Sequence, residues 1–258
     1  MKTNGSFPAQ PNQSLIKGIL CLQTMVIKGR PMGIRELSRK LHYDHTCVSR
    51  LLGTLASIGL AEKNAECKYQ AGAGIHVLAA QSLQSSRLLA CALPHIRNLL
   101  DEHLIVSLGV LWRKQVCYLF HGRNQDSLEE GIGATRPYPA FKSSIGVAIL
   151  ASLGQNAARR MMLQGPDRLC KKDMQLLNKL ISDARKKGYS MLSLTPPWAT
   201  IAVAIGHPAI VGLAFSGINL AKIKDKNVYL QRLAKRLSTA AEQIETGLVS
   251  QNKGGIKK

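Results

Sequence analysis

Acidic and aromatic residues are scarce in this chain of 258 residues. Asp and Glu total 15 against 35 Lys and Arg, which gives a formal net charge of +20. The shortage of acids argues against an acid-rich calcium-binding protein and favours a polyanionic partner. Aromatic residues make up 5% of the chain, which is too few for a surface that binds single-stranded nucleic acid by stacking.

Paired cysteines, a targeting segment and long apolar runs are also missing. The six cysteines form no CxxC pair, which argues against a zinc ribbon and favours a reducing cytoplasm. Residues 1–12 lack the apolar core of a signal peptide and are predicted to be a disordered tail. The longest apolar stretch, residues 199–215, is interrupted by Gly206-His207-Pro208. Neither half could span a bilayer of about 30 Å, so we expect no membrane association.

The sequence motifs of common catalytic sites are absent. No HExxH, GxSxG or Walker-type loop occurs, and the seven histidines are dispersed. The segment Ala71-Gly72-Ala73-Gly74 follows a predicted hairpin, so we do not interpret it as a nucleotide-binding loop. We therefore predict that the protein is not an enzyme and carries neither a metal nor a cofactor.

Residues 13–76 predict three helices followed by a basic hairpin. Apolar positions recur at helical spacing in three segments, Ser14–Lys28, Ile34–Leu41 and Thr46–Ser57. Two short strands flank Asn64-Ala65-Glu66 and predict the hairpin. This order is that of a winged helix-turn-helix, whose second helix of the pair enters the major groove of double-stranded DNA.

The third helix is predicted to face DNA with short polar side chains, because Val48, Leu51, Leu52 and Leu55 occupy its inward positions. Arg50 points outward and can bind a guanine or a phosphate through two parallel hydrogen bonds. The predicted DNA-binding residues are His45, Thr46, Cys47, Ser49, Arg50 and Thr54 on the helix, with Lys63 and Lys68 on the wing. An ordinary three-helix domain with a solvated polar face is the alternative.

Residues 77–91 predict a linker helix, and residues 92–250 predict a second domain of antiparallel strands and helices. In the second domain, the pattern predicts a helix from Lys171 to Lys187 and a hairpin of two strands, 201–205 and 210–215, around Gly206-His207-Pro208. The linker helix, which the pattern extends from Ile75 to Cys91, would expose Leu78, Leu83 and Leu88, so we expect it to pack against a second chain. Pro94 is expected to end or kink the helical segment. Residues 251–258 are predicted to be a basic, disordered tail. The fold class is therefore α+β, a helical module joined to a sensor-like module.

Several segments, taken in order, resemble the isocitrate lyase regulator (IclR) family of bacterial transcription factors. In the first domain they are IRELSRKL at 34–41, VSRLLGTL at 48–55 and KYQAG at 68–72. In the second they are RPYP at 136–139, SSIGVAILA at 143–151, KGY at 187–189, TIA at 200–202 and FSG at 215–217. The resemblance implies a winged helix-turn-helix, a linker helix and a GAF-like α/β effector-binding domain. It also implies a homodimer or a dimer of dimers.

The resemblance places an effector site in the second domain. The implied residues are Ser143, Ser144, Ile145, Trp198, Thr200, Ala214 and Ser216. The two serines begin a predicted helix, where hydroxyls and free backbone N–H groups suit a carboxylate. Two departures stand out: the segment after Tyr189 lacks the acid that family members often carry, and Ile145 is bulkier than the usual small residue.

The sequence therefore predicts a transcriptional regulator that binds a double-stranded DNA operator under the control of a small-molecule effector, such as an organic or sugar acid. The regulated genes would form a catabolic operon, and the protein would be cytoplasmic, associated with the nucleoid when bound to DNA. A constitutive DNA-binding regulator whose second domain only mediates oligomerisation is the alternative.

Overall fold

The computed structural model describes residues 10–100, 103–133, 136–164 and 168–254. The chain forms two compact units that meet between Ser86 and Arg87. This boundary lies inside the segment that the sequence predicts as a linker, residues 77–91. Each unit is built around its own buried apolar residues.

From residue 10 onward, where its description begins, the first unit contains four helices and a two-stranded sheet. In chain order they are α1 (Gln13–Lys28), α2 (Ile34–Leu41), α3 (His45–Ser57), β1 (Ala61–Lys63), β2 (Tyr69–Ala71) and α4 (Ala73–Ser85). Strands β1 and β2 pair antiparallel, and Met32 bridges Tyr69 through two backbone hydrogen bonds of 2.8 Å. The predicted order of three helices and a hairpin is confirmed, and the Met32 bridge adds a third strand position to the wing.

Side-chain caps fix where two of these helices begin. Asn12 accepts a hydrogen bond from the Leu15 N–H at 3.0 Å, so α1 begins just before the predicted Ser14. The Asp44 carboxylate accepts from the N–H groups of Cys47 and Thr46 at 3.1 and 2.9 Å, as expected for an N-cap. These bonds lower the pKa of Asp44. The cap therefore stabilises α3 at neutral pH and is lost as the pH falls through that pKa.

The predicted continuous helix from Ile75 to Cys91 is wrong. Helix α4 ends at Ser85, Ser86 is extended, and α5 (Arg87–Leu99) begins a second helix. Pro94 lies inside α5 and does not end it. The buried Ala92 and Ile96 on either side of Pro94 pack into the core of the second unit, and this packing offsets the backbone hydrogen bond that proline cannot make.

The second unit contains a six-stranded antiparallel sheet with helices on both faces. The strands are β3 (Ile105–Trp112), β4 (Gln115–Gly122), β5 (Tyr138–Pro139), β6 (Ser190–Thr195), β7 (Trp198–Ile205) and β8 (Val211–Asn219), in the order β5-β4-β3-β8-β7-β6. The remaining helices are α6 (Leu128–Gly131), α7 (Ser144–Leu153), α8 (Gln155–Leu163), α9 (Lys171–Lys187) and α10 (Lys226–Gly254). The predicted β7–β8 hairpin around Gly206-His207-Pro208 is confirmed, whereas β5, β6, α6 and α8 had no sequence prediction.

Alternation along the strands gives the sheet two separate apolar faces. Ile201, Leu213 and Phe215 pack with residues of α5 and α10, and we call this side the α10 face. Ala202 and Ala214 pack with residues of α7 and α9 on the other side, which we call the α7 face. The small alanines let α7 lie close to the sheet.

The predicted tails fall partly outside the described residues. Residues 1–9 and 255–258 are among those that the structure does not describe. The prediction of disorder from residue 251 is wrong for residues 251–254, because α10 continues to Gly254. Along the described part of the chain, no helix combines the length and apolarity needed to cross a membrane.

Candidate nucleic-acid interface and effector pocket

Helix α3 buries one face and exposes the other. Val48, Leu52 and Leu55 are buried in the core of the first unit. On the opposite side the predicted DNA-binding residues are accessible: His45, Thr46, Arg50 and Thr54 are exposed, whereas Cys47 and Ser49 are partly buried. Arg50 forms no ion pair with any residue that the structure describes. Its guanidinium group is therefore available to an external anion.

The open side of α3 extends to the backbone at Gly53. A Cβ added at Gly53 would meet no atom within 4 Å. A partner could therefore approach the helix closely at this turn.

The wing is less basic than the sequence analysis suggests. The Lys63 ammonium lies 5.9 Å from the ring centroid of Tyr69. Lys68 forms an ion pair of 2.7 Å with Glu66, and this hydrogen bond lowers the pKa of the Glu66 carboxyl. Glu62, which accepts a hydrogen bond from Gln70, balances the second lysine. The description of the hairpin as basic is therefore wrong, because its two lysines are matched in number by two glutamates.

The positive charge of the first unit lies instead on its helices, where sequence reasoning missed part of it. Arg35, Arg39 and Lys40 on α2 are exposed and form no ion pair with a described residue. Arg30, by contrast, is paired with Glu36 at 2.5 Å, and this contact lowers the pKa of the Glu36 carboxyl. The signal was present in the sequence, because the first helix of a helix-turn-helix crosses the DNA backbone.

The glycines after the wing have a packing role. A Cβ at Gly72 would overlap the carbonyl oxygen of Gly59, and one at Gly74 would lie 2.8 Å from the same atom. The Gly74 N–H donates to that carbonyl at 2.9 Å. The close approach of two backbone segments explains these glycines without a phosphate ligand.

The structure brings six of the seven predicted effector residues to the α7 face. Ser143, Ser144 and Ile145 form the start of α7. Thr200, Ala214 and Ser216 lie on β7 and β8 and alternate with residues of the α10 face. Trp198 differs, because it occupies the first position of β7 with half of its surface exposed.

The start of α7 is tightly packed and hydrogen-bonded. The Ser143 hydroxyl accepts from the Gly146 N–H at 3.3 Å and lies 3.2 Å from the Tyr118 hydroxyl. The Ser144 carbonyl accepts from the Ser190 hydroxyl at 2.6 Å. Both serines are buried. The Ser143 hydroxyl and the Ser144 carbonyl therefore already have partners within the protein.

Ile145 occupies the space between α7 and the sheet. A Cβ added at Gly212 would lie 2.9 Å from Cγ2 of Ile145, and one at Gly109 would lie 3.3 Å from its Cδ1. The two strand glycines make room for the isoleucine side chain. In this conformation the residue fills volume at the predicted effector site.

Sequence reasoning missed three polar residues on the same face. The Ser107 hydroxyl lies 2.8 Å from Nδ1 of His121, and the Tyr118 ring meets His121 edge-on at 5.6 Å. Burial lowers the pKa of His121 and raises that of Tyr118, so both side chains are uncharged at neutral pH. Ser107 on β3 pairs with His121 on β4. Alternate residues of a strand lie on the same face of the sheet, and this alternation is the sequence signal that could have identified these residues.

The Ser107 hydroxyl of this polar group is closed off from solvent. Ser107 is only 1% exposed, so no substrate can reach its hydroxyl without a rearrangement of the sheet. Within the described ranges, no three His, Cys, Asp or Glu side chains are grouped as metal ligands would be.

Both units have counterparts in solved structures. No family model and no curated protein sequence matches the chain. An IclR-family transcriptional regulator from Brucella abortus has a similar structure with a TM-score of 0.77 at 20% identity, covering 95% of this chain and 96% of the other. An IclR-type transcriptional regulator from Alicyclobacillus acidocaldarius gives a TM-score of 0.69 at 19% identity, covering 92% and 99%.

A third similar structure contains a ligand. It is an IclR homolog from Microbacterium hydrocarbonoxydans complexed with 4-hydroxybenzoate, with a TM-score of 0.64 at 20% identity, covering 92% of this chain and all of the other. At these identities the comparisons establish the fold. From the helix-turn-helix to the last helix, this chain has the fold of the IclR-family transcriptional regulators.

Proposed function

We propose that the protein is a sequence-specific, double-stranded DNA-binding transcriptional regulator and not an enzyme. The observation that carries the proposal is the exposed polar face of α3, with an unpaired Arg50, in a helix-turn-helix whose other helix is cationic. The shared fold with IclR-family regulators supports it. The proposed function implies a cytoplasmic location.

In this mechanism α3 lies in the major groove and α2 crosses the phosphate backbone. Arg50 contacts a base edge or a phosphate, while Arg35, Arg39 and Lys40 contact phosphates. The wing, which carries no net charge, contributes to DNA binding more through its shape and hydrogen bonds than through electrostatic attraction. Division of the contacts in this way separates sequence recognition on α3 from general affinity on α2.

Replacement of Arg50 tests where the recognition helix lies. A preferred site is first selected from a pool of randomised duplexes. Arg50→Ala should then weaken binding to that site by about 1–3 kcal/mol, because the alanine variant cannot form the bidentate pair of hydrogen bonds. Fluorescence anisotropy with the labelled duplex measures the affinity, and circular dichroism verifies the fold.

Two further variants sharpen the test. Arg50→Lys retains the charge but not the planar pair of donors, so it should lose discrimination between bases more than general affinity. Lys179→Ala removes one charge from the exposed surface of α9 in the second unit and should bind as the unmodified protein does. Equal affinity of folded Arg50→Ala and the unmodified protein would disprove the assignment of α3.

We propose that α4 mediates assembly into a homodimer, with a dimer of dimers as the larger form. None of its residues is buried, and Val77, Leu78 and Leu83 are exposed. Leu88, which the sequence analysis placed in the same surface, instead packs against the core of the second unit. Exposed apolar surface of this kind usually marks an interface.

Light scattering at micromolar concentration should therefore show at least a dimer. Leu78→Glu and Leu83→Glu together should shift the protein towards monomer, because two carboxylates would be buried in the interface. Lys179→Glu, at an exposed position of α9 in the second unit, serves as a control for the same change in charge. A monomeric unmodified protein would contradict the proposal.

We further propose that a small organic acid bound at the α7 face controls DNA binding. The Microbacterium homolog was solved with 4-hydroxybenzoate, which is a ligand of this class. The polar residues near the start of α7 include Ser143, Thr200 and Ser216, with Tyr118 and His121 beside them. A carboxylate would compete for their hydroxyl groups, and binding would favour one arrangement of the two DNA-binding units.

A specific observation favours constitutive DNA binding as a second candidate. Ile145 fills the space between α7 and the sheet, and the hydroxyl of Ser143 is already bonded to Tyr118. A site whose volume is filled by a side chain and whose serine hydroxyl already has a hydrogen-bond partner has little room for an effector. The second unit would then serve assembly alone.

Thermal shift with a panel of small organic and sugar acids distinguishes these candidates. If an acid stabilises the protein, Thr200→Val should weaken its binding by about 0.5–1.5 kcal/mol, because valine cannot make the hydrogen bond of the threonine hydroxyl. Ile145→Ala should enlarge the site and strengthen binding of the larger acids. Absence of any shift for both the unmodified protein and Ile145→Ala, with DNA binding intact, would favour constitutive binding.

A further inference from the structure

A cleft of about 370 Å³ lies on the α10 face, away from the predicted effector site. It runs between α5 and α10, which pack side by side in the core of the second unit. Its volume falls within the range of small-molecule sites. None of the residues predicted from the sequence lines it.

The α10 wall of the cleft is a stripe of cations and hydrogen-bonding groups. Arg232, Lys235, Thr239 and Gln243 recur at three- and four-residue steps, so they lie on one side of the helix. Glu242 and Glu245, the acids of α10, do not line the cleft. This helix therefore offers the cleft positive charge and neutral polar groups.

The α5 wall adds neutral polar groups and part of the floor. His95, Asn98 and Leu99 share one side of α5 and line the cleft. Leu99 and Ala240 are buried and form an apolar floor. A ligand here would find hydrogen-bond donors on both walls and apolar contact beneath.

The cations are positioned for an external partner. Arg236 is held 5.3 Å from the ring centroid of Phe215, so its charge is partly engaged by the protein. Arg232 lies 5.2 Å from the Tyr229 ring, a contact that orients the guanidinium without neutralising it. Neither Arg232 nor Lys235 forms an ion pair within the described part of the chain. Arg232 and Lys235 lie three positions apart on one helix, so their positive charges repel each other. An anion bound between them would offset this unfavourable repulsion.

We infer that the α5–α10 cleft binds a small organic anion with at least two negative charges, carried by a phosphate group or by two carboxylates. Arg232 and Lys235 bind the charged groups. Asn98, Thr239 and Gln243 complete their hydrogen bonds, and the carbon skeleton lies over Leu99 and Ala240. This site is independent of DNA binding and of the α7 face.

Calorimetric titration at constant ionic strength tests the inference with two probes, inorganic pyrophosphate and citrate. At least one probe should bind saturably, with one molecule per chain. The double variant Arg232→Gln, Lys235→Gln should weaken that binding by at least about 10-fold, because it removes two charge-assisted hydrogen bonds to the anion. The isosteric Gln243→Glu should also weaken it, because the new carboxylate repels the ligand.

A charge-matched control separates a built site from a generally basic surface. Lys179→Gln with Lys186→Gln removes two exposed charges from α9, which packs on the other face of the sheet. This variant should bind the probes as the unmodified protein does. An equal loss in the control, or no saturable binding of either probe at millimolar concentration, would overturn the inference.

The same variants decide between a small anion and nucleic acid. If the double variant at 232 and 235 lost affinity for duplex DNA while neither probe bound, the cleft would belong to a nucleic-acid surface and the inference would be wrong. Unchanged DNA affinity together with weakened probe binding supports it. Thermal unfolding of each variant verifies that the second unit is intact.

Discussion

The affinity for the selected DNA site should fall by about 10³-fold or more between about 50 and 200 mM salt, if the bound assembly neutralises six or more phosphates. The physical reason is counterion release, since each phosphate paired with Lys or Arg frees a condensed cation. The first unit provides Arg35, Arg39 and Lys40 on α2 and Arg50 on α3, which are exposed and form no ion pair with any residue in the described ranges. Assembly of two chains doubles this set.

The slope of the logarithm of affinity against the logarithm of salt concentration is the measured quantity. Lys40→Gln should reduce the slope by about one for each phosphate that the lysine no longer neutralises. Lys68→Gln is the matched control, because Lys68 is already paired with Glu66 in the wing. Lys68→Gln should change the slope less than Lys40→Gln does. A slope near zero, or a larger effect of Lys68→Gln, would contradict the assignment of phosphate binding to α2.

Gly146→Ala should destabilise the second unit by about 3 kcal/mol, at the upper end of the usual cost of overpacking. Gly146 lies in the first turn of α7, where an added Cβ would overlap the carbonyl oxygen of Ala140 and lie 2.6 Å from its Cα. These obstacles are backbone atoms and cannot rotate away. Either α7 moves, which disturbs Ser143 and Ile145, or the preceding turn must open.

Tryptophan fluorescence during urea unfolding measures this effect selectively. Both tryptophans, Trp112 and Trp198, lie in the second unit, so their emission reports that unit alone. Gly53→Ala is the control of opposite sign, and because Gly53 lies in the first unit its effect is followed by far-UV circular dichroism, which reports the helices of both units. The added Cβ would meet nothing, and alanine in a helix interior stabilises by about 0.5–1 kcal/mol relative to glycine. A midpoint for Gly146→Ala equal to that of the unmodified protein would show that the backbone at Ala140 yields easily.

Local patterns predicted the elements that carry strong periodicity. Helices α2, α3 and α9 begin and end within one residue of their predicted positions, and the β7–β8 hairpin turns where predicted, although its strands extend three and four residues further. Apolar spacing, the Asp44 cap and the Gly206-His207-Pro208 turn all act over a few residues. Elements without such signals were missed. Strand β5 has only two residues, and β6 takes its conformation from its pairing with β7.

The errors share one physical cause, which is that burial depends on distant parts of the chain. Periodicity continued through Ser86, so it could not show that α4 and α5 are separate helices. Leu88 has the same local pattern as Leu83, yet one packs against the core of the second unit and the other is exposed. Pro94 stays within a helix because neighbouring residues are held by α10.

The sequence by itself determined the order of the two modules, the inward and outward faces of α3 and the excess of positive charge, because each depends on residue type and short-range spacing. Only the tertiary structure decided how those charges are distributed. It paired Lys68 with Glu66 in the wing, left the cations of α2 exposed, and set Arg232 and Lys235 along a cleft with α5. It also placed Ile145 against two strand glycines more than thirty residues away on either side. Contacts between residues so far apart in the chain arise only when the sheet forms, which no local pattern encodes.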